Sequence, residues 1–263
     1  MTVKDRQDSL RITREELDDI LYKFNGNPKE VVTSYLKKNG VIVYYQNTLV
    51  AYFDIIGYSS FIEKEPIEEA IRKTSTLFNE TENSARTDIH AVKLDHWILS
   101  DTIIIVVDTN RHSLFSGSLE VFLATCSMIM NDGMRNRFPL RGAVGGGDFY
   151  KDGEVMVISA LVDAASYEKK QEWLGAVLTP KALKLVDKEL KGETRIVFSS
   201  EKFNSFVRYG EIPWKNGESN KAYYIKPFGM AEADWAHKYL PDYFDKAKKK
   251  EMINNSNRLY AQE

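Results

Sequence analysis

Two aspartates, Asp54 and Asp101, are the residues around which this chain can do chemistry. Asp54 closes the apolar run Leu49-Val-Ala-Tyr-Phe53 and precedes Gly57-Tyr-Ser-Ser60, so it sits where a buried strand ends and a Gly-and-hydroxyl turn opens a helix expected from about Phe61. A strand-end carboxylate facing free helix N–H groups suits a metal-bound polyphosphate. The amides and helix dipole hold phosphate oxygens, and the acid holds a hard divalent cation that bridges them. An Asp in that position also serves as an ordinary turn former or cap, so the functional reading needs a second acid. Asp101 supplies it. Ser100-Asp101 alone separates the apolar runs Ile89–Leu99 and Thr102–Val107, and so short a connection implies an antiparallel hairpin.

The elements that must position these acids follow from periodicity. A strand is expected at about Val41–Tyr45 or at Thr48–Ile55, then a helix to about Asn79 with Pro66 marking a bend. The hairpin comes next, followed by a helix over Ser113–Arg135 that buries Leu119, Phe122, Leu123, Cys126, Ile129 and Met130. Leu140–Tyr150 is Gly-rich and ends at the turn Lys151-Asp-Gly153, and Val155–Ile158 returns as a short strand. A helix over Ser159–Trp173, a strand Gly175–Leu178, a helix Pro180–Leu190 and a strand Thr194–Phe198 follow. Lys221–Ile225 reads as an edge strand, and the polar residues beyond it as helical.

The order β-α-β-β-α-β with additions predicts an α+β, ferredoxin-like split β-α-β core. In that topology the first strand lies beside the third, so the end of the first strand and the hairpin tip come together. Asp54 and Asp101 would then converge in a two-metal arrangement beside a phosphate-binding turn. Residues 47–200 are expected to form this domain, preceded by a helical extension over 1–46, with capping signals at Thr13-Arg-Glu-Glu16 and Asn27-Pro28, and followed by a C-terminal extension over 201–263 that completes or packs on the core.

Composition narrows the class. The 263 residues are 43% hydrophobic with a formal net charge of −2. The balance and the brevity of the basic run Lys246–Lys250 argue against a nucleic-acid partner. No apolar run approaches about 18 residues and no leader is apparent, so a soluble, cytoplasmic protein without a membrane association is expected. The single cysteine, Cys126, excludes an intrachain disulfide and a thiolate zinc cluster, and its place in an apolar helix gives it a packing role. His90, His96, His112 and His237 lack a paired ligand spacing, which disfavours a zinc enzyme. Gly146-Gly-Asp-Phe149 has the look of a diguanylate cyclase signature but lies outside the central hairpin.

Tyr52-Phe-Asp-Ile-Ile-Gly-Tyr-Ser59 resembles the aromatic-x-Asp-Ile-x-Gly-aromatic-Ser/Thr motif of class III nucleotide cyclases, and Ser100-Asp101 matches their hairpin acid. Leu140-Arg-Gly-Ala-Val-Gly-Gly-Gly-Asp-Phe149 is similar to the Arg-Gly strand of bacterial members, and Ala160-Leu-Val-Asp-Ala-Ala-Ser-Tyr-Glu168 to the helix after it. The resemblance spans roughly residues 48–178, and within the family the chain looks most like the pyrimidine cyclases of the bacterial Pycsar anti-phage system. It implies a homodimer with interface active sites, a nucleoside triphosphate substrate, and two Mg²⁺ or Mn²⁺ ions per site held by Asp54, the Ile55 carbonyl and Asp101. The amides of Ile56, Gly57, Tyr58 and Ser59 would hold phosphates, and a separate effector would read the cyclic nucleotide.

The resemblance also marks departures. The positions that carry an Asn and an Arg toward the partner's site in many members are Asp163 and Tyr167 here, and neither can neutralise phosphate charge as an Arg does. Arg141 is the nearest substitute, with a purely structural role equally open to it. Where purine-selective members place a Lys, this chain has Asp95, a carboxylate able to accept from uracil N3–H or the cytosine amine. Tyr52, Asp95 and Trp97 share the alternation phase of the two acids and could line a base pocket, although both aromatics suit a core equally. UTP and cyclic UMP are favoured because most of the resembled group makes cyclic UMP. Cytidylate or adenylate cyclase activity, or a non-catalytic nucleotide-sensing module, are the alternatives.

Overall fold

In the computed structural model the described residues are 43–86, 94–108, 115–152, 155–190, 200–217, 219–227 and 248–260. The expected helices before residue 43, the strand at 194–198, the first residues of the 89–99 run, and His90, His112 and His237 lie outside them. Eight strands and seven helices are described: β1 (Val43–Ile55), α1 (Tyr58–Lys64), α2 (Ile67–Arg86), β2 (Asp95–Leu99), β3 (Thr102–Asp108), α3 (Phe115–Arg135), β4 (Leu140–Asp152), β5 (Val155–Ile158), α4 (Ser159–Glu168), β6 (Gly175–Leu178), α5 (Pro180–Leu190), α6 (Ser200–Phe206), β7 (Val207–Pro213), β8 (Ser219–Ile225) and α7 (Lys248–Tyr260).

The chain divides into two units, one of residues 46–148 with 159–263 and one of residues 1–45 with 149–158. In the larger unit the strands run in the order β2-β3-β1-β4-β6-β8-β7. The first four give the arrangement of a split β-α-β core, with β1 antiparallel to β3 and β3 antiparallel to β2. β4 and β6 are parallel, and β8 joins antiparallel to both β6 and β7. In the smaller unit, Phe149–Asp152 of β4 pair antiparallel with β5.

Strict alternation divides the two faces of the central strands. Leu49, Ala51, Phe53 and Ile55 of β1 and Ile103, Ile105 and Val107 of β3 turn into the main core, where Phe61, Leu77, Leu119, Phe122, Leu123, Cys126 and Ile129 meet them from α1, α2 and α3. Cys126 is fully buried, and burial pushes its thiol up, which suits packing rather than reactivity. A second cluster on the other face joins Ala143, Ala164, Trp173, Val177, Ile212, Tyr224 and Leu259.

Three glycines explain how helices close on β4. A Cβ on Gly145 would lie 2.2 Å from the Ala160 carbonyl, one on Gly147 2.4 Å from Ser159 Oγ, and one on Gly146 2.7 Å from the Lys181–Ala182 backbone. Successive glycines thus let α4 and α5 pack directly on the main chain from alternate sides.

Several boundaries differ from expectation. The two strand positions before Asp54 are one continuous strand, and α1 begins at Tyr58, three residues early, because Gly57 adopts a left-handed conformation (φ 84°) and turns the chain at once. Pro66 ends the turn between α1 and α2, its carbonyl accepting from Glu69 and Ala70 N–H, and α2 continues to Arg86. The helix from Ser159 stops at Glu168 rather than Trp173: Gln171 pairs with Trp214, Glu172 N–H donates to Pro213, and Trp173 is buried. The strand holding Lys221–Ile225 is internal, since β7, unforeseen, occupies the edge.

α7 covers the chain after α4. Leu174 N–H donates to Ser256 Oγ at 2.8 Å, Asn255 Nδ2 donates to the Glu172 carbonyl at 2.9 Å, and Tyr260 O–H to the Leu174 carbonyl at 3.1 Å. These bonds satisfy backbone groups that neither helix nor strand would otherwise pair.

Candidate active site

The site is built on the face of β1, β2 and β3 that turns away from the main core. Cross-strand register sets Asp54 opposite Thr102, which in turn lies opposite Leu99, and the next row of that face is Tyr52, Ile104 and Trp97. Asp95 follows one row on, paired with Val106. Directly opposed residues share a face, so Tyr52, Asp54, Asp95 and Trp97 stand together on it.

The end of β1 is tied to the hairpin. Ile55 N–H donates to the Asp101 carbonyl at 2.8 Å, and Ser100 accommodates the two-residue turn with φ 58°. Ile56 N–H donates to the Pro139 carbonyl at 2.9 Å, which anchors the same turn to the chain entering β4. This bond corrects one expectation: the Ile56 amide is committed to protein and leaves Gly57, Tyr58 and Ser59 as the amide donors. The first-turn amides of a helix have no intrahelical acceptor. Tyr58 turns its ring toward Phe61 and Phe138.

Asp54 is in an unusual electrostatic position. Its carboxyl is raised from its ordinary value near 3.8 to about 6, first by burial and then by the Glu168 carboxylate. Arg141 opposes the rise, Asp101 adds to it, and Lys215 opposes it. The two aspartates therefore share one electrostatic neighbourhood. Burial also raises the Tyr52 hydroxyl, opposed by its hydrogen bond with Thr102, and the carboxylates of Asp54, Glu168 and Asp101 raise it further.

The donor set fits a hard divalent ion. Asp54, Asp101 and the Ile55 carbonyl offer only oxygen, and among the described residues no group of three or more His, Cys, Asp or Glu is arranged to hold a metal. A pair of carboxylates and a carbonyl suits Mg²⁺ or Mn²⁺, which complete their shells with water and substrate phosphate.

Arg141 enters from β4 and is nearly buried. Its Nε and Nη2 both reach Glu168 Oε1 at 2.5 Å, its Nη1 reaches the Gln171 carbonyl at 3.4 Å, and Nη2 stands 3.8 Å from Asp54 Oδ2. Glu168, only 3% exposed, is thus part of the site. Sequence reasoning missed it, although an arginine flanked by Leu140, Gly142 and Ala143 on a strand demands a buried carboxylate partner. Lys215 was missed as well; its N–H donates to the Lys170 carbonyl at 2.8 Å, fixing the β7–β8 turn on the end of α4.

The other two candidates are engaged within the chain itself. Asp163 accepts from Thr179 Oγ1 at 2.5 Å and Gly146 N–H at 3.3 Å, and Lys181 Nζ lies 3.8 Å away. These contacts make it a latch between α4, β4 and the start of α5. Tyr167 packs edge-on against Trp214 with centroids 6.2 Å apart, and Lys170 Nζ lies 4.7 Å over its ring.

No family model and no curated protein matches the chain. Among solved structures it is similar to the guanylyl cyclase domain of the RhoGC fusion protein from the aquatic fungus Blastocladiella emersonii, with 9% identity, a TM-score of 0.46, and 70% of this chain and 96% of that one covered. It is similar to the catalytic core of a rhodopsin-guanylyl cyclase with converted specificity, at 10% identity and TM-score 0.45, covering 71% and 98%. It is also similar to the adenylyl cyclase CyaB from P. aeruginosa, at 12% identity and TM-score 0.43, covering 70% and 95%. These structural neighbours are guanylyl and adenylyl cyclases.

Proposed function

We propose that this protein is a nucleotidyl cyclase that converts a pyrimidine nucleoside triphosphate, UTP in preference, to its 3′,5′-cyclic monophosphate and pyrophosphate. The observation that carries the reading is the approach of Asp54 and Asp101: the Ile55 N–H to Asp101 carbonyl bond joins the end of β1 to the hairpin, and the Asp54 carboxyl, raised chiefly by burial and Glu168, also feels Asp101. Asp54, Asp101 and the Ile55 carbonyl would hold Mg²⁺ or Mn²⁺, which when bound withdraws charge from the triphosphate and acidifies the attacking hydroxyl. The amides of Gly57, Tyr58 and Ser59 hold phosphate oxygens. The ribose 3′-oxygen bonds to the α-phosphorus in line as the bond to the bridging oxygen of pyrophosphate breaks, and the hydroxyl proton leaves to solvent. Holding hydroxyl and α-phosphate in register provides much of the acceleration.

Asp95, on the same face as Tyr52 and Trp97, favours a pyrimidine edge that donates a hydrogen bond. A homodimer in the cytoplasm, signalling to a separate effector in anti-phage defence, completes the proposal on the strength of the sequence resemblance.

A second reading is favoured by one observation. Asp163 and Tyr167 are spent on contacts within the chain, so among the described residues neither is left to stabilise the transition state from a partner, which suits a nucleotide-sensing module.

The test is incubation of the purified protein with Mn²⁺ and ATP, GTP, CTP or UTP in turn, with products identified by mass spectrometry. Cyclic UMP is expected, and it should vanish in Asp54→Ala and Asp101→Ala variants that still fold. Cyclic AMP as the main product would overturn the base assignment, and normal turnover by both variants would overturn the metal site. No cyclic product from a folded protein that binds nucleotide would support the sensing module.

A further inference from the structure

Glu168 is a buried carboxylate that the proposed reaction leaves without a task. It closes α4 and is matched to one guanidinium, with Arg141 Nε and Nη2 both 2.5 Å from its Oε1. Gln171, fully buried, adds to the fastening: its carbonyl faces Arg141 Nη1 at 3.4 Å, while its Nε2 donates to the Gly142 carbonyl at 2.7 Å and the Tyr167 carbonyl at 3.2 Å. The side of Arg141 that remains toward Asp54 is Nη2, at 3.8 Å. That separation is too long for a hydrogen bond, whereas a guanidinium able to settle on a carboxylate closes to about 2.7–2.9 Å and engages both oxygens.

Building on the proposed metal site, we infer that Glu168 is a positioning residue that holds Arg141 off Asp54, so that Asp54 stays open to a divalent cation while the guanidinium remains beside it. Two physical consequences act together. The Glu168 carboxylate cancels most of the guanidinium charge that an arriving cation meets, and it occupies the donors that would otherwise cap the Asp54 oxygens. Without Glu168, Arg141 closes on Asp54 and competes with the metal by charge and by hydrogen bonding. With both removed, the competitor is gone and Asp54 is open again.

The test measures Mn²⁺ binding to the full chain by the electron paramagnetic resonance signal of free Mn²⁺, without nucleotide, beside thermal melts that verify folding. Glu168→Gln should lose at least about tenfold in Mn²⁺ affinity, and the double variant Arg141→Gln/Glu168→Gln should recover to within about threefold of the parent. A merely structural role predicts the opposite ordering, with the double variant no better than the single. If Glu168→Gln does not fold, Glu168→Asp keeps the charge but withdraws the carboxylate, and a loss of about threefold is expected. Parental affinity in the folded Glu168 variant, or no recovery in the double variant, would overturn the inference while leaving the metal site intact. If the parent takes up no Mn²⁺ that Asp54→Ala abolishes, the metal-site reading falls and this inference with it.

Discussion

Replacing Asp54 by asparagine should make the metal-free protein more stable, and only above the acid range. The folded protein holds the Asp54 proton up to about pH 6, whereas the unfolded chain releases it near 3.8. Between those values the folded state binds more protons than the unfolded state, so stability falls as pH rises and the full penalty is present above 6. The gap corresponds to at most about 3 kcal/mol at 1.36 kcal/mol per pH unit. With 25% of the side chain exposed, solvent screening reduces this to about 1–2 kcal/mol. For a unit of this size, Asp54→Asn should melt about 3–6 °C above the parent at pH 8 in chelator, with the gain roughly halved at pH 5 and absent below about pH 3.8. Differential scanning fluorimetry from about pH 3.5 to 8 reads this directly. Adding Mn²⁺ should raise the parent's melting temperature and leave the variant's unchanged. A gain that does not depend on pH, or a variant less stable than the parent at pH 8, would refute the reasoning.

Three further outcomes are expected. Gly146→Ala should cost about 1–3 kcal/mol, read as a lowered melting temperature, because its Cβ would meet the Lys181–Ala182 backbone at 2.7 Å. Asp163→Ala should lower stability by about 2–3 kcal/mol because the buried Thr179 O–H and Gly146 N–H then lack an acceptor; a large loss of turnover with an unchanged melt would instead give Asp163 a role toward a partner. Asp95→Asn should raise the KM for UTP about tenfold and shift product ratios in a four-nucleotide competition, since an amide presents a donor where the carboxylate only accepts. Unchanged ratios would remove Asp95 from the base pocket.

Much of the sheet was legible because its signals are local. Leu49–Phe53 and Ile103–Val107 are unbroken apolar runs, Ser100-Asp101 admits only a tight hairpin, and Pro66 marks the break between two helices. The juxtaposition of Asp54 and Asp101 followed from connectivity, because strand order alone brings those two chain positions together. Glu168 escaped because its own surroundings, Tyr167 before it and Lys169-Lys170 after it, give no sign of burial within the helix expected over Ser159–Trp173. Its burial is dictated by Arg141, a partner 27 residues away in sequence. β7 was hidden by Gly210 and Pro213, which depress strand propensity, and its pairing with β8 comes from cross-strand contacts such as Tyr209 with Tyr223, centroids 4.9 Å apart. The early stop of α4 likewise depends on Trp214 and α7, neither of which the residues of α4 themselves reveal.

The bonds from α7 to Glu172 and Leu174 impose an order on biosynthesis. β1 leaves the ribosome among the first of these strands, yet it lies between β3 and β4 and cannot find both neighbours until β4 has emerged. The backbone that follows Glu168 then stays uncapped until Asn255, Ser256 and Tyr260 have cleared the exit tunnel. Both acids are thus synthesised long before the surroundings that define them, and a nascent chain carries the parts of the site without the site. The candidate site thus depends on segments that follow both acids in the chain, from β4 through α7.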